Sequence, residues 1–377
     1  MRVAPAIDMG QGALAGVKVL EFAGLGPAPF CAMLLADFGA DVVRIDRPGG
    51  EHGHAAIRAG ERVLGRGKRS IALDLKTDEG LNRCGELARV ADIVIEGFRP
   101  GVMERFGLGP DDLLKLNPRL VYGRMTGWGQ DGPLAPRAGH DLNYLALTGA
   151  FHAIGTADRP VLPLNLVGDF GGGSLYLAFG ILAALHHARQ TGKGQVIDCA
   201  IVDGAASLMG FIYGMFGAGE WRDTRESNLL DGGTPYYGAY ECADGEWVSI
   251  GSIEPQFYKL LREKLGLTDS LFDAQEDRSA WPAQRAVLEK LFRTKPRTHW
   301  CALFEDTDAC FAPVLSLAEA PNHSHLAARK TFIEVDGLVQ PAPVPRLSET
   351  PGSVTGLSPA AGAHSDAVLG DWLSGKF

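Results

Sequence analysis

The chain has 377 residues, 46% of them hydrophobic and 21% charged, a balance that excludes a largely disordered protein. A formal charge of -9 argues against non-specific nucleic-acid binding, although basic stretches such as Arg44 to Arg47 and Arg62 to Arg69 still suit a local anion. Six separated cysteines (Cys31, Cys84, Cys199, Cys242, Cys301 and Cys310) with no CxxC spacing predict free thiols in a cytoplasmic protein, not a disulfide frame or a zinc site.

Met1 to Gln11 has no secretory pattern and reads as a loose extension. Val17–Phe22 then reads as a strand, Pro27–Phe38 as a helix and Asp41–Ile45 as a second strand. The strand signal repeats at Ser70–Leu75, Asp92–Glu96 and Leu120–Met125, with a helix over Thr77–Val90. Strands alternating with helices of this length predict right-handed crossovers and a parallel sheet covered on both faces, an α/β domain of doubly wound type. From Ser174 an apolar run suggests a buried helix ending near Gly192, followed by a strand over Gln195–Ala200. At about a dozen residues its apolar core is shorter than the roughly 20 needed to span a bilayer, so a soluble chain is expected.

After Asn228 the texture changes. Tyr236–Cys242 and Trp247–Ile250 flank Ala243-Asp244-Gly245 as a hairpin, and helices are expected at Pro255–Leu265, Trp281–Phe292 and Arg297–Glu305. The expected limits are an extension over 1–11, a large domain over 12–200, a linker helix region over 201–230, a small α+β domain over 231–330 and a C-terminal segment over 331–377. That last segment is rich in proline and serine, with a short helix near Ala367–Leu373, and is expected to wrap rather than pack. Gly375-Lys376-Phe377 lacks the serine and leucine of a peroxisomal terminus, which fits a cytoplasmic protein.

Gly24-Leu25-Gly26-Pro27 after the first strand imitates a dinucleotide fingerprint, but Pro27 and Pro29 stand where N–H donors would meet a pyrophosphate. A structural turn is the better reading. Arg47, Lys76 and Arg99 lie near the ends of successive strands, the side on which such sheets hold ligands, and three converging cations suit a polyphosphate. His140 and Asp169 supply an imidazole and a carboxylate for proton transfer, provided that burial or neighbours raise the aspartate pKa. Asp169 precedes Gly171-Gly172-Gly173 at an expected helix start, so capping is also open to it. The three glycines would expose backbone donors for a developing enolate oxygen. His52-Gly53-His54 and His323-Ser324-His325 lack further ligands at metal-binding spacing, so no metal is expected. The cluster Tyr236, Tyr237, Tyr240 and Phe257 reads as small-domain core.

The segments Val19-Leu20-Glu21-Phe22-Ala23-Gly24, Gly39 to Asp46, Glu96-Gly97-Phe98-Arg99-Pro100-Gly101, Thr126-Gly127-Trp128-Gly129 and Gly168-Asp169 resemble, in combination and order, the class III coenzyme A transferase superfamily. Within it the chain is most similar to the racemase branch acting on α-methylacyl-CoA. The resemblance covers essentially the whole chain after the extension. It implies an interlocked homodimer, with a Rossmann-like large domain and a small domain, and a C-terminal segment that returns to the large domain. By the same resemblance Asp169 is a nucleophile in transferases and a base in racemases, His140 is the opposing base, and Glu241 orients that histidine. Arg47, Leu73, Lys76, Arg99, Gly139, Asp141 and Tyr144 correspond to contacts with CoA. The short Gly232-Gly233 run favours the racemase, since transferases commonly carry a longer one there.

The expected activity is racemisation of a 2-methylacyl-CoA thioester by 1,1-proton transfer through an enolate. No cofactor is expected, CoA being part of the substrate, and neither nucleic acid nor membrane insertion. Two alternatives stay open: a CoA transferase using Asp169 as nucleophile, and a non-catalytic acyl-CoA-binding protein.

Overall fold

A computed structural model describes residues 12–49 and 54–374. The expected extension, His52 and Gly53 of the first histidine pair, and the last three residues lie outside the described residues. The chain divides into two compact units, one formed by the described residues of 1–148, 163–209 and 330–377, the other by 149–162 and 210–329.

In the first unit β1 (Lys18–Phe22), β2 (Asp41–Asp46), β3 (Arg69–Ala72), β4 (Ile93–Glu96), β5 (Val121–Thr126) and β6 (Gln195–Ala200) form one parallel sheet. The strand order is β3-β2-β1-β4-β5-β6. Successive side chains enter opposite cores because strand geometry alternates them. Val19 packs with helices Pro27–Asp37 and Tyr176–Thr191, whereas Leu20 packs with helix Asp78–Val90 and with Val368 and Trp372. Both faces of the central strands β1 and β4 are covered, which is why these read as largely apolar runs. Strand order reverses between β1 and β4, and such a switch opens a crevice at the strands' carboxyl ends.

Four expectations are corrected here. The long helix does not begin at Ser174: a π-helical segment, Leu166–Leu175, runs directly into Tyr176–Thr191. Glycines at 168 and 171–173 depress helix propensity and hide that first part. They also allow close approach, for a Cβ on Gly204 of helix Ile201–Leu208 would stand 1.8 Å from the Gly172 carbonyl oxygen. Nor is the helix buried all round, because Phe179 is 74% exposed while Leu177 and Ile181 are fully buried. The continuous 26-residue helix Leu166–Thr191, unlike the shorter run expected, is long and apolar enough to cross a bilayer by length and composition; its inner face packs on β5 and β6. The C-terminal segment packs rather than wraps. Val368 and Trp372, four residues apart on helix Ser365–Leu373, are buried, and Trp372 Nε1 donates to Asp41 Oδ2 at 2.6 Å.

In the second unit β7 (Tyr237–Glu241), β8 (Trp247–Gly251) and β9 (Phe311–Val314) form an antiparallel sheet. Helices Pro255–Leu265, Trp281–Phe292 and Arg297–Phe304 close its core around Tyr236, Tyr240, Phe292 and Trp300. Arg225 holds 149–162 in this unit, donating from Nε to Thr156 O at 2.7 Å and from Nη1 to His152 O at 2.9 Å. Chain order alone does not reveal that excursion.

Candidate active site

A cavity of about 860 Å³ opens at the carboxyl ends of β1, β4, β5 and β6, formed within the first unit alone. Its wall is Gly26 and Pro27 after β1, Gly97 to Pro100 after β4, Met125 to Trp128 at the end of β5, and Ile201 after β6. Arg99, Gly139, His140, Asp141, Tyr144 and Asp169 all line it. Arg47 and Leu73 lie just beyond β2 and β3, with Lys76 further on, and none of the three borders the cavity. Glu241 ends β7 in the second unit, where its Oε2 accepts from Arg293 Nη2 at 2.7 Å.

Tyr144 organises one wall. Its hydroxyl donates to Gly139 O, and its ring meets Trp128 edge-on at 4.7 Å. A Cβ on Gly127 would fall 1.9 Å from the Tyr144 ring, and one on Gly139 2.7 Å from it, so glycine is needed at both positions. Tyr144 lies on helix Asp141–Ala146, of which His140 is the N-cap. The His140 N–H donates to Asn143 Oδ1 at 3.0 Å and its carbonyl accepts the Asn143 N–H at 2.8 Å, which fixes the backbone and leaves the imidazole exposed.

Asp169 is placed by the π-helical segment, a geometry that often marks functional positions in helices. Its N–H donates to Asp141 Oδ1 at 2.8 Å. A Cβ on Gly168 would lie 2.2 Å from that same oxygen, so glycine there is what lets the two aspartates meet. Burial, and secondarily the Asp141 charge, raise the Asp169 pKa from 3.8 to about 7. The Asp141 carboxyl is itself raised by burial, against the lowering effect of the Asp169 N–H. A carboxyl group poised near neutrality can accept a proton and later return it.

None of Gly171, Gly172 and Gly173 borders the cavity. Gly172 and Gly173 are buried, and the side-chain space they leave is filled by Gly204 and Ala205 in one case and by Ile201, Met125 and Pro27 in the other. Their absence of side chains serves packing.

Sequence reasoning missed Glu61. Helix Ala55–Leu64 places it in the cavity wall, where its Oε1 accepts the Gly26 N–H at 3.0 Å and burial raises its pKa. The available signal was the one-sided spacing of Ile57, Glu61 and Leu64 behind the His54 N-cap, obscured by Gly60 and by the charges of Arg58 and Arg62.

The sequence matches the profile of CoA-transferase family III over residues 14–365. It is 45% identical over 363 residues to a Mus musculus protein named alpha-methylacyl-CoA racemase, covering 95% of this chain and 93% of the relative. A Homo sapiens protein of the same name is 44% identical over 360 residues, covering 95% and 92%. Among solved structures, a CAIB/BAIF family protein from Brucella suis superposes with a TM-score of 0.83 at 26% identity, covering 96% of this chain and all of the other. These matches run through both units, and the protein belongs to CoA-transferase family III.

Proposed function

We propose that the protein inverts the α-carbon of a 2-methylacyl-CoA thioester by 1,1-proton transfer. The thioester carbonyl acidifies the α-hydrogen. One of His140 and Asp169 takes that proton as the C–H bond breaks, leaving an enolate, and the other, already protonated, delivers its proton to the opposite face. The roles exchange for the other enantiomer. Each positioned acid or base contributes roughly 10² to 10⁴ in rate, and stabilisation of the enolate charge supplies much of the rest. The reaction needs no group beyond the CoA that the substrate carries.

The observation that carries this reading is the Asp169 carboxyl, raised to about 7 in the cavity that His140 also lines. Similarity at 45% identity to proteins named for the same reaction supports the choice of substrate. The transferase alternative would have Asp169 attack the thioester, and the similarity to proteins named for racemisation favours the proton carrier over that nucleophile. A CoA chain leading from the cavity toward Arg47, Leu73 and Lys76, an interlocked homodimer and orientation of His140 by Glu241 belong to the same reading, supported by family membership.

The test supplies each enantiomer of a 2-methylacyl-CoA ester and follows the composition by chiral chromatography. Approach to a racemate from both sides, lost in His140→Ala while CoA binding persists, is the expected result. Transfer of CoA to an added carboxylic acid, with trapping of Asp169 by hydroxylamine, would instead establish the transferase.

A further inference from the structure

We infer that Ser174 is a positioning residue for Asp169, an inference that rests on the proton-transfer reading above. Ser174 is fully buried in the π-helical segment, five residues beyond Asp169. Its hydroxyl hydrogen faces two backbone carbonyls, Pro27 O at 2.7 Å and Asp169 O at 3.1 Å. Pro27 opens a helix whose N-cap, Gly26, backs the reacting carboxylate: a Cβ there would lie 3.5 Å from Asp169 Oδ2. Ser174 therefore ties the turn behind the carboxylate to the backbone that carries it.

Asp169 is thus held from two sides, with its N–H on Asp141 Oδ1 at 2.8 Å and its carbonyl against the Ser174 hydroxyl. The π register is what brings these groups together, since it pairs residues five apart. Serine is a poorer helix former than alanine, so local propensity does not account for it at this buried position. The backbone of His140 is fixed by Asn143, on a different helix, and none of those bonds involves Ser174.

Ser174 thus acts on the Asp169 side of the site, which makes the role measurable. In a two-base reaction, solvent exchange from one enantiomer begins with Asp169 and from the other with His140. Loosening Asp169 slows exchange with retention from the first and spares it from the second, in which His140 both removes and returns the hydrogen; inversion uses both groups and slows from either side, and a general loss of folded protein slows every one of these alike. A misplacement of about 1 Å costs roughly a hundredfold in rate.

The protein, its Ser174→Ala variant and Ser174→Cys, a weaker and slightly bulkier donor, are incubated in heavy water with resolved (R)- and (S)-2-methyldecanoyl-CoA. Deuterium at the α-carbon is read by mass spectrometry in the recovered starting enantiomer after chiral separation. For Ser174→Ala the expected result is a loss of about ten- to a hundredfold in initial exchange from one enantiomer, against a much smaller change for the other. Ser174→Cys should show the same bias to a lesser degree, and it decides the matter if the alanine variant does not fold. Equal losses for both enantiomers, or no loss for either, would overturn the inference. Absence of exchange in the unsubstituted protein would overturn the proton-transfer reading, and this inference with it.

Discussion

The backbone N–H of Asp169 donates to Oδ1 of Asp141 at 2.8 Å, which brings the Asp141 carboxylate against the backbone of Asp169 in one cavity wall. Burial is the larger cause of the raised Asp169 pKa, and the nearby Asp141 charge adds to it. Asp141→Asn keeps an oxygen acceptor for the N–H and removes the charge. The ionisation of Asp169 seen in the pH dependence of kcat/KM should then move down from about 7. It should stop short of the ordinary aspartate range, because burial, the larger cause, remains. An unmoved profile in this variant would dissociate the two groups.

The raised Asp169 pKa also gives a stability prediction. With its pKa raised from 3.8 to about 7, folded Asp169 holds its proton through a range in which the unfolded chain has released it. That contribution is complete below about 3.8 and is lost as pH rises through about 7. Asp169→Asn, neutral at every pH, should therefore gain on its parent between those limits and hold the gain above them. The gain is at most about 4 kcal/mol, the free-energy equivalent of displacing a proton affinity across that pH interval. Urea unfolding at pH 4, 6 and 8 measures it, and isomerisation should be lost in the same variant.

Gly168→Ala separates placement from folding. The new methyl would meet Asp141 Oδ1 at 2.2 Å, forcing that carboxylate away from the Asp169 N–H. A loss of roughly a hundredfold in kcat with a modest change in melting temperature is expected. Gly204→Ala should behave in the opposite way. Its methyl would strike the Gly172 carbonyl at 1.8 Å, backbone against backbone, and destabilise the protein by about 1–3 kcal/mol or more.

Arg66 and Asp37 form a buried pair with a 2.6 Å contact, side chains 3% and 1% exposed, and Arg66 Nη1 also donates to Gln340 Oε1 and Pro341 O, each at 2.8 Å. Arg66→Met leaves Asp37 buried and unpaired, at a cost of about 3–5 kcal/mol. Arg66→Met with Asp37→Leu should recover much of it. A single variant as stable as the parent in urea unfolding would show that the C-terminal segment is held by other bonds.

The central strands were legible because a parallel strand covered on both faces, such as β4, is largely apolar. β6 and the helix Pro255–Leu265 fall on the limits read from sequence. What escaped has a physical reason in each case. The π-helical segment hides behind glycines whose value is backbone contact with Gly204, which no local propensity records. The excursion of 149–162 depends on Arg225, some seventy residues distant. His140 and Asp169 stand out as residue types suited to proton transfer, but the partner of Asp169 does not, since Asp141 reads equally well as an ordinary first-turn acid of a helix. Ser174 carries no sequence signal of its role and Glu61 only an obscured one, because both act through the Gly26–Pro27 turn across long chain separations.

The most direct measurement is deuterium uptake at the α-carbon of a resolved 2-methylacyl-CoA ester in heavy water with no acceptor acid present. Removal and return of a proton by His140 and Asp169 predicts solvent deuterium at that carbon, accompanied by inversion, from either enantiomer. Recovery of substrate with its original hydrogen and configuration, under conditions in which CoA passes to an added carboxylic acid, would contradict it.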